Sequence, residues 1–364
     1  MKRIFWPISV VLFLIFLIVA PFTLLLGPTQ LRDYIHRELV YKAIADKVTQ
    51  GTKSDKEKAL KLSYYVHTHL FTPAGAKVVD MHPMNDLLRG IGWCDQQANT
   101  FITLARKVNI KGRLIFLRGY DMISHHSVCD LYLEEEYRIF DPYLGVTFLN
   151  EEGKIATFAD IQNEDRTVKS KQFEALCLFQ KDDQLLADFF RLFEPTHAPT
   201  IFRDNFSSDL KRRLLSGLAD FYYDVFGNLF LITFQECYFK LADIGPFLKA
   251  RFEHLAFRFK QAIKSYDKII DAADDKFRKS ESMFFKGQAF WDGKRYNESI
   301  TAFNKLLEEF PQTRWKNEIM FYLGDSYENI GKYDMAKVYY SRVSTSGTPA
   351  EVRLLELTAA DQER

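Results

Sequence analysis

Only four cysteines occur in 364 residues, and no two of them form a CxxC pair. Zinc-type pairs of cysteine and histidine are missing as well, and no glycine-rich phosphate loop is found. These absences argue against a disulfide scaffold, a structural zinc site and a nucleotide cradle, and no cofactor is expected. A chain of this length buries enough surface to fold without disulfides. An excess of charge is also missing: 49 basic against 48 acidic residues leave a net charge of +1. With no overall field to attract it, nucleic acid is not an expected partner.

What the chain does have is apolar bulk, with 47% hydrophobic residues, 33 Phe and 18 Tyr. Ordered cores, in more than one domain, are expected from that content. The stretch Ile4 to Pro28 contains no charged residue. It exceeds the roughly 20 residues needed for a span, and no small-x-small cleavage site precedes Pro28, so residues 1–28 read as a retained membrane anchor. Lys2 and Arg3 lie before it and Arg32, Arg37 and Lys42 after it. The count of positive charges does not settle orientation. The very short basic tail favours a cytoplasmic N-terminus, with everything beyond residue 28 in the periplasm or outside the cell.

Residues 29–53 begin with Leu31, Ile35, Leu39, Ala43 and Val48 at helical spacing, an amphipathic connector. Ser54 and Glu57 stand three apart, the signature of a capped second helix. A third helix is predicted over residues 94–108, where Ala98, Phe101, Ile102, Ala105 and Val108 mark one buried face. Strand patterns follow at residues 112–120, 126–134 and 136–145, predicting a small antiparallel sheet with turns at Gly119 and Gly145. Residues 151–254 read as a mainly helical region of no assigned role, with packed helices preferred to a second membrane crossing.

From residue 255 to 350 an internal repeat takes over, and a short tail, 351–364, closes the chain. Ala262, Ser299 and Ala336 occupy one position of the repeat, and Tyr266, Phe303 and Tyr340 lie four residues later, each set spaced 37 residues apart. Gly287 and Gly324 share the same spacing in the preceding helices. "FFKGQAF", "FYLGDSY" and "YNESITAFNKLLEEFP" resemble the tetratricopeptide repeat, with a period longer than the usual ~34 residues. Two repeats are clear and an earlier one is partial. The resemblance implies a groove for a protein partner; packing against the neighbouring domain is the plainer alternative.

Between the anchor and the repeats, "RGIGWCDQQANTFITLARK" places Cys94 at the start of the third helix. Free cysteine is most often buried and inert. At a helix N-terminus, however, unpaired N–H groups and the helix dipole favour the thiolate. A nucleophilic thiol needs a base and a group to orient it. "SHHSVCDLY" and "RIFDPYLG" offer a His and an Asp on successive strands that antiparallel pairing would bring together. Only one of His125 and His126 can face the cysteine, because neighbouring strand residues point to opposite faces.

Taken with "GWCDQQANTFITLARKVNIKGRLIFLRG", these blocks resemble the transglutaminase-like superfamily, the papain-related group of transglutaminases, bacterial cysteine peptidases and peptide N-glycanases. The resemblance covers residues 55–146 and implies an α+β core of a cysteine-bearing helix and an antiparallel sheet, within a domain drawn at 54–150. It implies Cys94 as nucleophile, His126 as base and Asp141 as the group fixing the imidazole, with His125 the remaining alternative for the base. The His126-to-Asp130 spacing followed by Leu-Tyr-Leu is what favours His126.

Asp95, directly after the nucleophile, departs from what a thiolate would want. His82 and Asn85 are candidates by position for a second oxyanion donor, beside the Cys94 amide. His67 and His69 read as structural or surface residues, and Cys129 as packing. The expected activity is attack on an amide carbonyl of a protein or peptide, with hydrolysis favoured over cross-linking because water is the default acceptor. The competing reading is a non-catalytic, membrane-tethered scaffold that binds protein partners through its repeats.

Overall fold

A computed structural model of the chain describes residues 26–73, 80, 82–118, 124–150, 152–162, 169–172, 200–202, 210–343, 354 and 357–358. Nearly all of the expected anchor therefore lies outside the described residues, as do Gly119 and Cys177. Among the described residues no helix is long and apolar enough to cross a membrane. The chain divides into two compact units, one of residues 1–43 with 206–245, the other of residues 44–205 with 246–364.

The first unit is built from α1 (Thr29–Val48), up to Ala43, and from α6 (Leu210–Leu241). Gly227, at φ 60° and ψ −151°, breaks α6 into two arms. The first arm runs alongside α1: Tyr34 Oη donates to the Arg212 carbonyl at 3.2 Å, Ser216 Oγ to Glu38 at 2.7 Å, and Lys42 pairs with Asp224 at 3.0 Å. The second arm returns the other way, so that Tyr238 Oη reaches Asp33 at 3.1 Å and stacks on His36 at 4.1 Å. Tyr222 meets Phe230 across the break with ring centroids 5.1 Å apart.

The second unit opens with α2 (Asp55–His69), α3 (Pro83–Arg89) and α4 (Cys94–Arg106). Ser54 caps α2 by accepting from the Glu57 amide at 3.2 Å, and Glu57 in return accepts from the Lys53 amide at 2.7 Å. A six-stranded sheet follows in the order β5-β4-β3-β2-β1-β6, every pairing antiparallel. Its members are β1 (Gly112–Arg118), β2 (Ser124–Leu133), β3 (Glu136–Asp141), β4 (Val146–Leu149), β5 (Lys169–Gln172) and β6 (Thr200–Phe202), with the short α5 (Phe158–Gln162) after β4. The last predicted strand, 136–145, ends early: β3 stops at Asp141 and residues 142–145 form a turn. Asp141 Oδ1 accepts from the Leu144 amide at 3.0 Å and Gly145 takes φ +69°, so the chain turns and returns as β4. The edge strands β5 and β6 add sheet to a region read as mainly helical.

Behind the sheet in sequence come α7 (Pro246–Leu255), α8 (Phe259–Ala272), α9 (Lys276–Asp292), α10 (Tyr296–Glu309), α11 (Lys316–Asn329) and α12 (Tyr333–Tyr340). Gly287 and Gly324 allow close helix approach: a Cβ would stand 2.6 Å from the Phe303 ring at the first and 2.5 Å from the Tyr340 ring at the second. Gly324→Ala is therefore expected to destabilise the array by ~1–3 kcal/mol through overpacking, read as a lowered unfolding midpoint in urea.

The repeats and the sheet-bearing core are not separate modules. Phe71 and Ile91 of the core enter the same apolar cluster as Phe284, Phe285, Trp315 and Tyr322. Tyr322 Oη donates to the Thr68 carbonyl at 2.6 Å, and Arg251 donates to the carbonyls of Leu87 at 2.6 Å and Leu88 at 2.8 Å. The faces of α9 and α11 that carry these residues are filled by this chain's own core, as the plainer sequence alternative would have it.

Candidate active site

Cys94 is the first residue of α4 and is partly exposed, whereas His126 on β2 and Asp141 at the end of β3 are buried. The strand pairing brings the last two together: His126 Nε2 lies 2.6 Å from Asp141 Oδ2. The Cys94 thiol is hydrogen-bonded to the same imidazole, which leaves Nδ1 as the nitrogen facing sulfur. All three residues named from sequence thus meet. Burial pulls His126 toward the neutral form, but the charge and hydrogen bond of Asp141, with Cys94 adding to them, carry it up to about 10. An imidazolium held between a carboxylate and a thiol is the arrangement that favours the thiolate.

The loop before Cys94 is fixed at several points. Phe71 and Ile91 form a parallel bridge, with Phe71 N donating to Gly90 at 3.0 Å and Gly92 N to Phe71 at 3.0 Å. The Gly92 carbonyl accepts from Thr72 Oγ1 and from Gln97 Nε2, each at 2.9 Å. Gln96 Oε1 accepts from the Trp93 amide at 3.0 Å while its Nε2 donates to the Asp80 carbonyl and to Asp86. Asp95, which looked unfavourable beside a thiolate, accepts from the Gln96 amide at 2.9 Å and so serves the helix N-terminus.

Two further residues pack around His126 and Asp141: His67, read from sequence as structural or surface, and Tyr143, which was not singled out. Buried His67, kept from protonation chiefly by its burial, donates through Nδ1 to the Pro142 carbonyl at 2.9 Å, one residue beyond Asp141. Gly145 permits this fit, since a Cβ there would stand 2.8 Å from the His67 ring. Tyr143 presents its ring edge to His126 at 5.9 Å and hydrogen-bonds Thr72. Tyr143 lay within the quoted "DPYLG" block; for His67, no spacing in the chain signals the contact.

The other candidates are accounted for locally. Asn85 donates its amide to Asp80 at 2.8 Å, and His82, the residue before α3, donates its backbone N–H to the same carboxylate at 3.3 Å. Asp130 pairs with Arg113 across β1 and β2. Cys129 is fully buried beside the Phe140 carbonyl, and burial pushes its thiol up, so it is packing. His125 lies on β2 next to His126. Among the described residues no group of His, Cys, Asp and Glu could hold a metal ion.

No curated protein and no solved structure matches the chain. Residues 42–142 match the family model of the transglutaminase-like superfamily, a span that ends one residue after Asp141. Residues 280–313 and 318–346 each match a tetratricopeptide repeat model. The chain therefore carries a transglutaminase-like core, which contains Cys94, His126 and Asp141, with two tetratricopeptide repeats C-terminal to it.

Proposed function

We propose that the chain is a membrane-anchored cysteine enzyme whose Cys94 thiolate attacks an amide carbonyl of a protein or peptide, with its soluble part in the periplasm or outside the cell. The observation that carries this reading is the joining of Cys94, His126 and Asp141 in a transglutaminase-like core. Attack forms a carbon–sulfur bond and a tetrahedral oxyanion, to which the Cys94 amide at the start of α4 offers a hydrogen bond. His126 then gives its proton to the departing amine as the carbon–nitrogen bond breaks, leaving a thioester. Water enters next, loses a proton to His126 and releases the acid, restoring the thiolate and imidazolium. Asp141 keeps the ring in place through both halves. Hydrolysis is preferred to transfer onto an amine because water needs no binding site of its own.

The second reading is a scaffold that binds protein partners, and the two tetratricopeptide repeats favour it. Iodoacetamide labelling followed by mass spectrometry separates the two. Under the enzyme reading Cys94 reacts ahead of Cys129, Cys177 and Cys237, and Asp141→Asn slows it. Equal, slow labelling of Cys94 in the wild type and in Asp141→Asn would leave the scaffold as the better account.

A further inference from the structure

We propose that the first arm of α6 is a membrane-surface helix, seated by its apolar face in the headgroup region of an anionic bilayer beside the N-terminal anchor. The inference rests on the anchored reading above and is independent of the chemistry at Cys94.

Leu210, Leu214, Phe221 and Val225 are 62%, 65%, 45% and 55% exposed. At ~100° per residue they fall with Gly217 inside an arc of about 80°, an apolar stripe along the exposed side, with Arg213 and the Lys42-paired Asp224 exposed along one edge. Its opposite side, with Ala219, Tyr222 and Tyr223 buried, is the one packed within the bundle. A helix in water presents these two faces the other way round, polar side outward. Outside the stripe, Phe226 and Leu229 are exposed at 38% and 73% on either side of the break at Gly227. A contiguous exposed apolar surface of this kind marks a place of contact.

The occupant is indicated by what adjoins the patch. The apolar stretch from Ile4 ends at Pro28, and α1 begins at Thr29. The first turns of α1 touch the first turn of α6 through Tyr34 and the Arg212 carbonyl, so the patch begins where the anchor emerges. Leu26 is 79% exposed there, and a turn at residues 26–28 frees α1 and α6 from following the direction of the anchor. Exposed Arg213 lies at the edge of the stripe beside Leu210 and suits phosphate headgroups. Apolar side chains with basic neighbours on a helix lying along the surface are what an interfacial helix requires.

The test uses the full chain, reconstituted into vesicles of phosphatidylcholine and phosphatidylglycerol. A nitroxide is placed at Leu214→Cys, Phe221→Cys or Val225→Cys, with Cys94, Cys177 and Cys237 replaced by Ser and Lys264→Cys as an exposed reference in the repeats. Collision of the label with oxygen relative to a water-soluble nickel chelate is expected to be several-fold higher at the three α6 positions than at residue 264. Ratios equal to the reference would overturn the proposal while leaving the anchor standing, provided the protein cofloats with the vesicles. Failure to cofloat would remove the anchor and this surface together. Spin–spin broadening that grows with the protein-to-lipid ratio would assign the patch to a second copy and also overturn it. Labelling of Cys94 by iodoacetamide in the unsubstituted full chain, in the same vesicles, tests the enzyme reading separately.

Discussion

Replacing His126 with alanine will slow iodoacetamide labelling of Cys94 at neutral pH by roughly 10²-fold, the lower edge of what a positioned acid–base group contributes. The imidazolium that faces the thiol would be gone, and α4 alone would remain to favour the thiolate. Asp141→Asn acts one step further back. Burial by itself opposes a charged His126, and the Asp141 carboxylate outweighs it, so removing that charge sends the imidazole below its ordinary range. Titration of the His126 ring by NMR should show no deprotonation below pH 9 in the wild type and deprotonation below pH 6.5 in Asp141→Asn. The sign for stability follows. The folded value of about 10 lies above the unfolded 6.5, so the pair's contribution is complete below pH 6.5 and is lost as pH rises through about 10. The difference in urea midpoint between the wild type and Asp141→Asn should shrink across that window. Loss of Cys94 labelling without any change in the His126 titration would separate the thiol from the base and sink the triad.

The meeting of His126 and Asp141 was legible from a local rule, since a hairpin joins the strands that carry them. That Cys94, opening an amphipathic helix, would join them rested on the family resemblance. Identifying the base as His126 rather than His125 took the family resemblance, since alternation says only that one of them faces the cysteine. Residues that hold the site from a distance left no trace of this kind. His67 reaches Pro142 across 75 positions, and nothing in the spacing of either forecasts the contact. The last predicted strand ends early for a local reason: the side chain of Asp141 takes the Leu144 amide and so turns the chain. The repeats were legible as repeats through their 37-residue period. Their packing on the neighbouring domain stood only as an alternative to a partner groove, because it depends on Phe71, Ile91, Arg251 and Tyr322, whose partners lie far off in sequence.

That packing predicts the largest loss of stability, ~3–5 kcal/mol for Asp292→Ala, the cost of leaving buried charge without its partner. Asp292, at the end of α9, accepts from His69 Nε2 at 2.9 Å and from His254 Nε2 at 2.7 Å. His69 also points Nδ1 at the Tyr65 carbonyl at 2.8 Å and at Thr68 Oγ1 at 3.1 Å. His254 differs. Its Nδ1 accepts from Arg251 Nη1 at 3.0 Å, and burial, against the pull of Asp292, brings it down to about 4, so this ring is neutral. One carboxylate thus accepts from two buried imidazoles and, through His254, faces the buried Arg251 guanidinium. Burial acts against its ionisation, and these partners overcome it, holding Asp292 well below the usual carboxylate range. Its contribution is present above the unfolded value of 3.8 and is lost only as pH falls through that much lower folded value, so the wild type should keep its advantage over Asp292→Ala down to pH 4. The effect should also reach the thiol. Arg251 holds the last carbonyls of α3 and Tyr322 holds one near the end of α2, and between those two helix ends runs the Phe71 and Gly90-to-Gly92 pairing that leads into Cys94. Slower labelling of Cys94 in Asp292→Ala, under conditions where the variant is fully folded by circular dichroism, would make the repeats a positioning element of the site; unchanged labelling with a lowered urea midpoint would confine them to stability.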